Sequence, residues 1–286
     1  RPSPPGARAG PSLPLHPGYP RAHYRGAASC YNRGVREPFD SIAGLYDELM
    51  AEIPYRGWVD YIRTLATREG HEIRRILDVG CGTGTASLLL AEDGCHVVGI
   101  DASEGMIAEA RSKQKPWHDV SFLIVRAESL ELDETFDTAI SLFDSLNYIT
   151  DPDAFHGALR QVFAHLEPGG LFIFDMNTPY ALEEEMFTQD NLDEKTPIHY
   201  VWRSRFDESE RLTRVEMTFL DTRGQEPQTI NEVHYQRAYR LNEILDGLRR
   251  AGFDSVEMFE AFTLQRPGKR TDRAYFVARR PFETNA

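Results

Sequence analysis

The sequence has few cysteines, no Asn-x-Ser/Thr acceptor and no long apolar run. Its three cysteines, Cys30, Cys81 and Cys95, form no CxxC pair. Nothing therefore indicates an oxidising or secretory compartment, and we expect a cytoplasmic location. The apolar runs fall short of the roughly 18 residues needed to cross a bilayer, so we expect no membrane partner. Because the nine histidines include no HExxH motif and no paired Cys/His spacing, no metal site is predicted.

Positive charge is scarce outside the first 36 residues. That segment holds six arginines and no acid, so the rest of the chain carries −19 of a total net charge of −13. A body this acidic repels phosphate backbones, and we expect no nucleic-acid partner. The hydrophobic share of 41% and the charged share of 27% are those of a globular protein.

Residues 1–37 are predicted to form a disordered leader rich in proline and arginine. Seven of the 17 prolines and five glycines lie in the first 36 residues, without apolar periodicity. Such a segment buries too little surface to offset the entropy of ordering it. It resembles an organelle transit peptide in its arginines, but its prolines oppose the amphipathic helix of such peptides. We expect a tail, or translated sequence upstream of the true start, because the chain opens on Arg1.

The folded part is predicted to begin at residue 38, with a nucleotide-binding core over residues 38–179. Asp40 or Ser41 is expected to cap a first helix that runs through Met50, and a second helix covers residues 58–65. An apolar strand at residues 74–79 then runs into three alternating glycines. Glycines at a strand-to-helix junction let the backbone approach a ligand, and the following helix offers it free N–H groups.

A second strand, residues 96–100, ends at Asp101, about 20 residues past the glycines, where a carboxylate can accept both ribose hydroxyls. Strands at 120–125, 136–143 and 171–174 alternate with helices. This alternation predicts a mostly parallel sheet with its ligand at the carboxyl ends of the strands. A nicotinamide dehydrogenase has the same layout and stays as a minor alternative, although the glycine spacing is not GxGxxG.

The motif series resembles that of class I S-adenosylmethionine-dependent methyltransferases. It comprises Asp78-Val-Gly-Cys-Gly-Thr-Gly84, then Asp101, then Glu128, then Leu166-Glu-Pro-Gly-Gly170. The resemblance covers residues 39–279. It implies a Rossmann-like α/β fold whose seven-stranded sheet is mostly parallel with an antiparallel last strand, supplied by residues 255–259 and 274–278. The closest sub-group is that of small-molecule methyltransferases, which includes amino-sugar N,N-dimethyltransferases and many bacterial relatives.

The resemblance also implies which residues bind the cofactor, S-adenosylmethionine. The glycines would cradle its methionine part, Asp101 would hold the ribose, and Glu128 would lie near the adenine amine with Ser129 beside it. Tyr46 and Tyr55 would cover the sulfonium, since a cation over an aromatic face gains roughly 0.5 to 2 kcal/mol. Core packing is the alternative for these tyrosines, for Trp58 and for Phe143. The full predicted set is Tyr46, Tyr55, Gly80, Cys81, Gly82, Gly84, Asp101, Ala102, Met106, Glu128, Ser129, Leu142, Phe143 and Asp144.

Residues 180–240 interrupt the helical rhythm with alternating apolar and polar positions at 200–206, 212–220 and 230–239. We expect a small antiparallel insertion that forms a lid over the substrate and sets specificity, after which residues 241–286 complete the core. Tyr148 and His234 are the candidates for contact with the methyl acceptor. The predicted function is in-line methyl transfer to nitrogen or oxygen of a small molecule. The alternative is a non-catalytic S-adenosylmethionine-binding sensor or assembly protein, and a homodimer is left open.

Overall fold

The computed structural model describes residues 37–193 and 196–283, so the predicted leader lies outside the described residues apart from Glu37. The helices are α1 Ala43–Leu49, α2 Tyr55–Arg68, α3 Thr85–Glu92, α4 Glu104–Lys113, α5 Pro152–His165, α6 Pro179–Glu183 and α7 Leu241–Ala251. The strands are β1 Arg75–Val79, β2 His96–Asp101, β3 Val120–Ile124, β4 Phe136–Ser141, β5 Leu166–Asn177, β6 Gln189–Asn191, β7 Ile198–Asp207, β8 Leu212–Asp221, β9 Gln228–Arg237, β10 Ser255–Glu260 and β11 Arg273–Arg279. Within the described ranges, no helix is both long and apolar enough to span a membrane.

Seven strands form the main sheet in the order β10-β11-β5-β4-β1-β2-β3. β11 runs antiparallel to both of its neighbours, and the β1, β2, β3, β4 and β5 pairings are parallel. Successive strand side chains point to opposite faces, so Ile76 packs in the core beneath α2 and α3, while Leu77 packs in the core beneath α5 and α7. The predicted Rossmann-like α/β sheet with an antiparallel last strand is confirmed.

The Pro-Gly-Gly segment lies inside β5, which begins at Leu166 and not at residue 171 as the sequence predicts. Phe136 pairs with Leu166, whereas Thr138 pairs with Leu171, so the extra residues of β5 bulge out between these two pairs. Gly169 supplies the positive φ of 82° that this bulge uses. The prediction was wrong because the glycines bend the strand without ending it.

The prediction that Asp40 or Ser41 caps the first helix is also wrong. Residues Asp40–Ile42 form a 3-10 helix without a side-chain cap, and α1 follows it. The Asp40 carboxylate instead accepts hydrogen bonds from the Ser103 hydroxyl at 2.8 Å and the Gly105 amide at 2.9 Å, at the start of α4. Asp40 is therefore used by a helix that lies more than 60 residues further along the chain.

The four-stranded second sheet, in the order β6-β7-β8-β9, is antiparallel throughout, as the alternation in the insertion predicts. Its short first strand, β6, has no apolar alternation and was not predicted. The inward side chains of β8, among them Val215 and Phe219, pack against Ile42. The backbone of Arg237 in β9 accepts a hydrogen bond from Asn147, which follows β4. These contacts place the second sheet beside the carboxyl ends of the parallel strands.

Candidate functional site

The glycine turn between β1 and α3 has three residues with positive φ: 73° at Gly80, 55° at Gly82 and 75° at Gly84. A Cβ on Gly80 would lie 2.6 Å from the Ser145 Cβ, and one on Gly84 would lie 2.6 Å from the Phe122 ring. At Gly82 no atom of the described residues lies within 4 Å of that position. The outer glycines are thus required by packing, whereas Gly82 presents bare main chain to open space, which fits a ligand that rests on the backbone.

Asp101 ends β2 directly beside this turn. Its carboxylate accepts the Gly82 amide at 2.9 Å and the Ser103 amide at 2.9 Å. Burial raises the pKa of Asp101, although the hydrogen bonds from these backbone amides act in the opposite direction. The amides fix the carboxylate against the glycine turn, and its remaining lone pairs are suited to a vicinal diol.

Residues 37–50, called here the N-terminal strap, cross the carboxyl ends of β1, β2 and β3. Asp47 accepts a hydrogen bond from the Thr83 hydroxyl at 2.5 Å and pairs with Lys113. Glu37 pairs with Arg126, just past β3. Together with the contacts of Asp40 at α4, these bonds hold the strap over the predicted cofactor residues.

Glu128 lies in a 3-10 helix past β3, and Arg126 is 3.8 Å from its carboxylate. Burial raises the pKa of Glu37; the paired Arg126 opposes this rise, and the charges of Asp101 and Glu128 add to it. The structure therefore places the carboxylates of Glu37 and Glu128 beside the Arg126 guanidinium at the predicted adenosine end. Glu37 was missed because it was assigned to the leader; the only signal for it is that it is the first acid after an acid-free segment.

The β4 terminus is strained at two consecutive non-glycine residues, with φ of 58° at Phe143 and 53° at Asp144. Such conformations cost about 1–3 kcal/mol each and persist only where the surroundings enforce them. The Asp175 carboxylate does so here, because it accepts the Phe143 amide at 2.8 Å and the Asp144 amide at 3.0 Å. These two hydrogen bonds thereby fix the backbone of residues 143 and 144 at the end of β4.

A buried ion-pair network stabilises the end of β4. Arg273 of β11 pairs with Asp175 and, at 2.8 Å, with Asp144. Burial alone would lower the pKa of Arg273, but the two carboxylates raise it above its usual value. Gln236 of β9 donates to Asp144 at 2.6 Å. Asp175, Gln236 and Arg273 were not predicted, because they come from three distant segments that have no common motif.

Two aromatic residues of α2, Tyr55 and Trp58, pack against Phe143. The ring of Tyr55 lies 4.9 Å from that of Phe143, and Trp58 stacks on it at 4.0 Å. Burial raises the pKa of Tyr46, and the neighbouring hydroxyls of Tyr55 and Tyr148 contribute to the rise. Tyr46 and Tyr148 both pack against Phe39 of the strap, at ring distances of 5.4 and 5.5 Å.

The other predicted cofactor residues differ in exposure. Leu142 is 4% exposed within the main core and Met106 is 3% exposed, whereas Ala102 and Cys81 are half-buried and Ser129 is exposed. Burial raises the pKa of the Cys81 thiol well above its usual value. Leu142 and Met106 thus act mainly through packing beneath the site.

His234 lies on the inner face of β9 with 2% of its surface exposed. Its Nε2 is 2.6 Å from a carboxylate oxygen of Glu232. The ring of Tyr148 is 5.7 Å from the ring of His234, and burial raises the pKa of Tyr148. The structure therefore brings together the two residues predicted to contact the methyl acceptor.

Asp78, the first residue of the glycine motif, points into the core and accepts the Ser87 hydroxyl at 2.5 Å. Burial raises the pKa of Asp78 to about 7. In the unfolded chain this carboxyl has a pKa of about 3.9, so the folded protein binds more protons between these values. The contribution of Asp78 to stability is therefore lost as the pH rises through this window.

The substitution Asp78→Asn removes this titration and keeps a partner for Ser87. Relative to the variant, the wild type should lose about 3 kcal/mol of unfolding free energy between about pH 5 and pH 8. Urea denaturation of both proteins at several pH values measures the difference. Parallel stability curves across this range would show that Asp78 titrates normally.

A surface hollow of about 370 Å³ lies at the opposite edge of the sheet, lined in part by His71, Asp137 and Arg279. Four of the ionisable residues that line it form two pairs, since His71 lies 3.7 Å from Asp137 and Arg279 lies 2.9 Å from Glu69. The carboxyl edge of the sheet, with its bare glycine backbone, remains the site.

The strand order, the glycine turn beside Asp101 and the acid past β3 define a class: the S-adenosylmethionine-binding fold of class I methyltransferases. A family model described as a methyltransferase domain matches residues 76–170. The Bacillus subtilis (strain 168) protein named "Putative methyltransferase YqeM" is 31% identical over 244 residues, which cover 85% of this chain and 97% of that protein.

Solved structures agree. An S-adenosylmethionine-dependent methyltransferase from Clostridium acetobutylicum is 25% identical with a TM-score of 0.74, and the match covers 86% of this chain and all of that one. The amino pentose methyltransferase CalS10 of Micromonospora echinaspora, solved with S-adenosylmethionine, is 25% identical with a TM-score of 0.63; the match covers 81% of this chain and 96% of that one.

The chain therefore belongs to the class I S-adenosylmethionine-dependent methyltransferase family. It is an enzyme whose cofactor is S-adenosylmethionine, and the predictions of family, cofactor and enzyme class are confirmed. The comparisons favour this class over the two alternatives, a nicotinamide dehydrogenase and a non-catalytic binder.

Proposed function

We propose that the enzyme transfers a methyl group to a nitrogen or oxygen atom of a small molecule bound between the carboxyl edge of the main sheet and the insertion. This proposal rests on a direct contact between the main sheet and the insertion. Asp144 at the end of β4 is hydrogen-bonded to Gln236 on the inner face of β9. The acidic charge of the chain supports a small acceptor rather than a nucleic acid.

The cofactor would be held by residues of the carboxyl edge. Asp101 would bind the ribose hydroxyls, the main chain of Gly82 would carry the amino-acid end, and Glu128 with Ser129 would lie near the adenine. Tyr46 and Tyr55 would offer ring faces to the sulfonium. The remaining proposed contacts are Gly80, Cys81, Gly84, Ala102, Met106, Leu142, Phe143 and Asp144.

When bound, S-adenosylmethionine supplies an activated methyl carbon, so the chain needs mainly to align the acceptor and exclude water. The N-terminal strap would exclude water, because Asp47 binds it to the glycine turn and Asp40 binds it to the start of α4. His234 would take a proton from an acceptor that must lose one, and Tyr148 would orient that acceptor. The insertion, residues 180–240, would act as a lid that determines substrate choice.

CalS10 is described as an amino pentose methyltransferase, which supports amino compounds as the first acceptors to test. A homodimer and a cytoplasmic location also belong to this proposal.

The proposal is tested by measuring S-adenosylhomocysteine release with a panel of small amines and hydroxyl compounds. We expect release that depends on the acceptor, with methylated product of the matching mass. A protein in which Asp101 is replaced by Asn, assayed beside the wild type, corrects for contaminating activity. Turnover with a nucleic acid or protein acceptor and with none of the small molecules would contradict the proposal.

A further inference from the structure

Glu232 and His234 form a buried pair on the inner face of β9. Their side chains are 8% and 2% exposed, and the His234 Nε2 lies 2.6 Å from a Glu232 oxygen. The same carboxylate accepts the Phe39 amide at 3.0 Å and the Ser41 amide at 2.9 Å, and the Phe39 amide also lies 3.4 Å from Nε2 of His234. Because the Glu232 oxygen is the nearer acceptor of the Phe39 amide, the hydrogen shared between the carboxylate and the ring is assigned to Nε2 of His234.

The other ring nitrogen of His234 has no such partner. Its Nδ1 is buried and makes no hydrogen bond within residues 37–193 and 196–283. If Nδ1 carried a second N–H, the ring would be charged and would have a buried donor without an acceptor. This state is higher in free energy than a neutral ring whose Nδ1 has an unpaired lone pair. Nδ1 therefore carries the lone pair and is free to accept a proton.

Two aromatic rings pack against His234. The Phe39 ring packs edge-on against His234 at 4.3 Å, and Tyr148 packs at 5.7 Å. Phe39 belongs to the strap, whose next residue, Asp40, binds the start of α4 beside Asp101. The Glu232 carboxylate thus binds both the strap and the His234 ring. The strap covers the proposed cofactor residues, and His234 is proposed to contact the acceptor.

We propose that Glu232 is a positioning residue that fixes His234 as the Nε2–H tautomer, so that Nδ1 serves as the base for the methyl acceptor. This inference rests on the proposed function. His234 Nδ1 takes the proton that the acceptor atom loses as its bond to the methyl carbon forms and the carbon–sulfur bond breaks, leaving the electron pair on sulfur. The resulting imidazolium is paired with Glu232 and then releases its proton to water.

The test is the substitution Glu232→Gln, which keeps the side-chain size but places an amide donor toward Nε2 of His234. Two-bond ¹H–¹⁵N NMR of histidine-labelled protein reports the tautomer without any acceptor, and the substitution His234→Gln identifies the signal. We expect an unprotonated Nδ1 in the wild type and an unprotonated Nε2 in the Glu232→Gln protein. At saturating cofactor, kcat should fall by about 100-fold or more, the usual effect of losing a general base.

Glu216→Gln is the matched control, because Glu216 lies on the exposed face of β8 and pairs with Arg214. It should change neither the tautomer nor kcat. A protonated Nδ1 in the wild type, or the same tautomer after Glu232→Gln, would overturn the inference. A tautomer switch with unchanged kcat would overturn the role of His234 as base. A tautomer switch in a protein that methylates no small molecule would support the positioning role and contradict the proposed function.

Discussion

Replacing Asp101 with asparagine is expected to weaken S-adenosylmethionine binding by about 100-fold or more. The carboxylate accepts both the Gly82 and the Ser103 amides, so asparagine would turn its NH₂ group against one of these donors. It would also remove the negative charge to which, in our proposal, the ribose hydroxyls donate. Hydrogen bonds to charged groups contribute about 1.5–3 kcal/mol each, so two of them account for a loss of this size.

Isothermal titration calorimetry with S-adenosylmethionine and with S-adenosylhomocysteine measures the effect. Asp60→Asn is the matched control, because Asp60 is exposed on α2. Its dissociation constants should equal those of the wild type. If Asp101→Asn binds both compounds within about threefold of wild-type affinity, the assignment of Asp101 to the ribose is wrong. An unchanged urea midpoint for the variant would show that the lost affinity does not come from unfolding.

The second large effect is expected for Arg273→Met, which should lower the free energy of unfolding by about 3–5 kcal/mol, as is usual when one partner of a buried ion pair is removed. Methionine leaves the carboxylates of Asp144 and Asp175 without their shared cation. Burial raises the pKa of Asp175. Without Arg273 the folded state favours the protonated acid, so the loss of stability should grow as the pH rises.

Urea denaturation at two pH values, near 5 and near 8, measures this loss. Arg270→Met provides the control, because Arg270 is exposed three residues before Arg273 and should change stability by no more than about 0.5 kcal/mol. Equal stability of the two variants would show that the network does not support the β4 terminus. A weaker effect at pH 8 than at pH 5 would contradict the charge-based explanation.

The backbone geometry at the proposed cofactor end could be predicted from the sequence because it is local. Gly80, Gly82 and Gly84 have to adopt positive φ directly after an apolar strand, and Asp101 follows the next strand at a fixed distance. The insertion was also predictable, since apolar residues such as Val215 and Phe219 alternate with polar ones, and period-two alternation fixes which side of a strand faces the core.

The long-range ion pairs and hydrogen bonds that stabilise the site could not be predicted from local sequence patterns. Arg273 is 98 residues from Asp175, and Glu232 is 193 residues from Phe39. Whether these groups meet depends on the order of strands across the sheet and on the packing of the strap, and neither leaves a periodic signal. Asp40 is a further example. Its sequence position fits a local helix cap, but its carboxylate accepts a hydrogen bond from the start of α4 instead.

The sequence by itself determined the sheet, the glycine turn and the carboxylate beside it, because backbone conformation and face alternation are local properties of a chain. Only the tertiary structure decided which charges are neutralised and which nitrogen of His234 has no hydrogen-bond partner among the described residues. It did so by placing β11 next to β5 and the strap over β9, since burying a charged group requires a partner that the fold must bring from elsewhere.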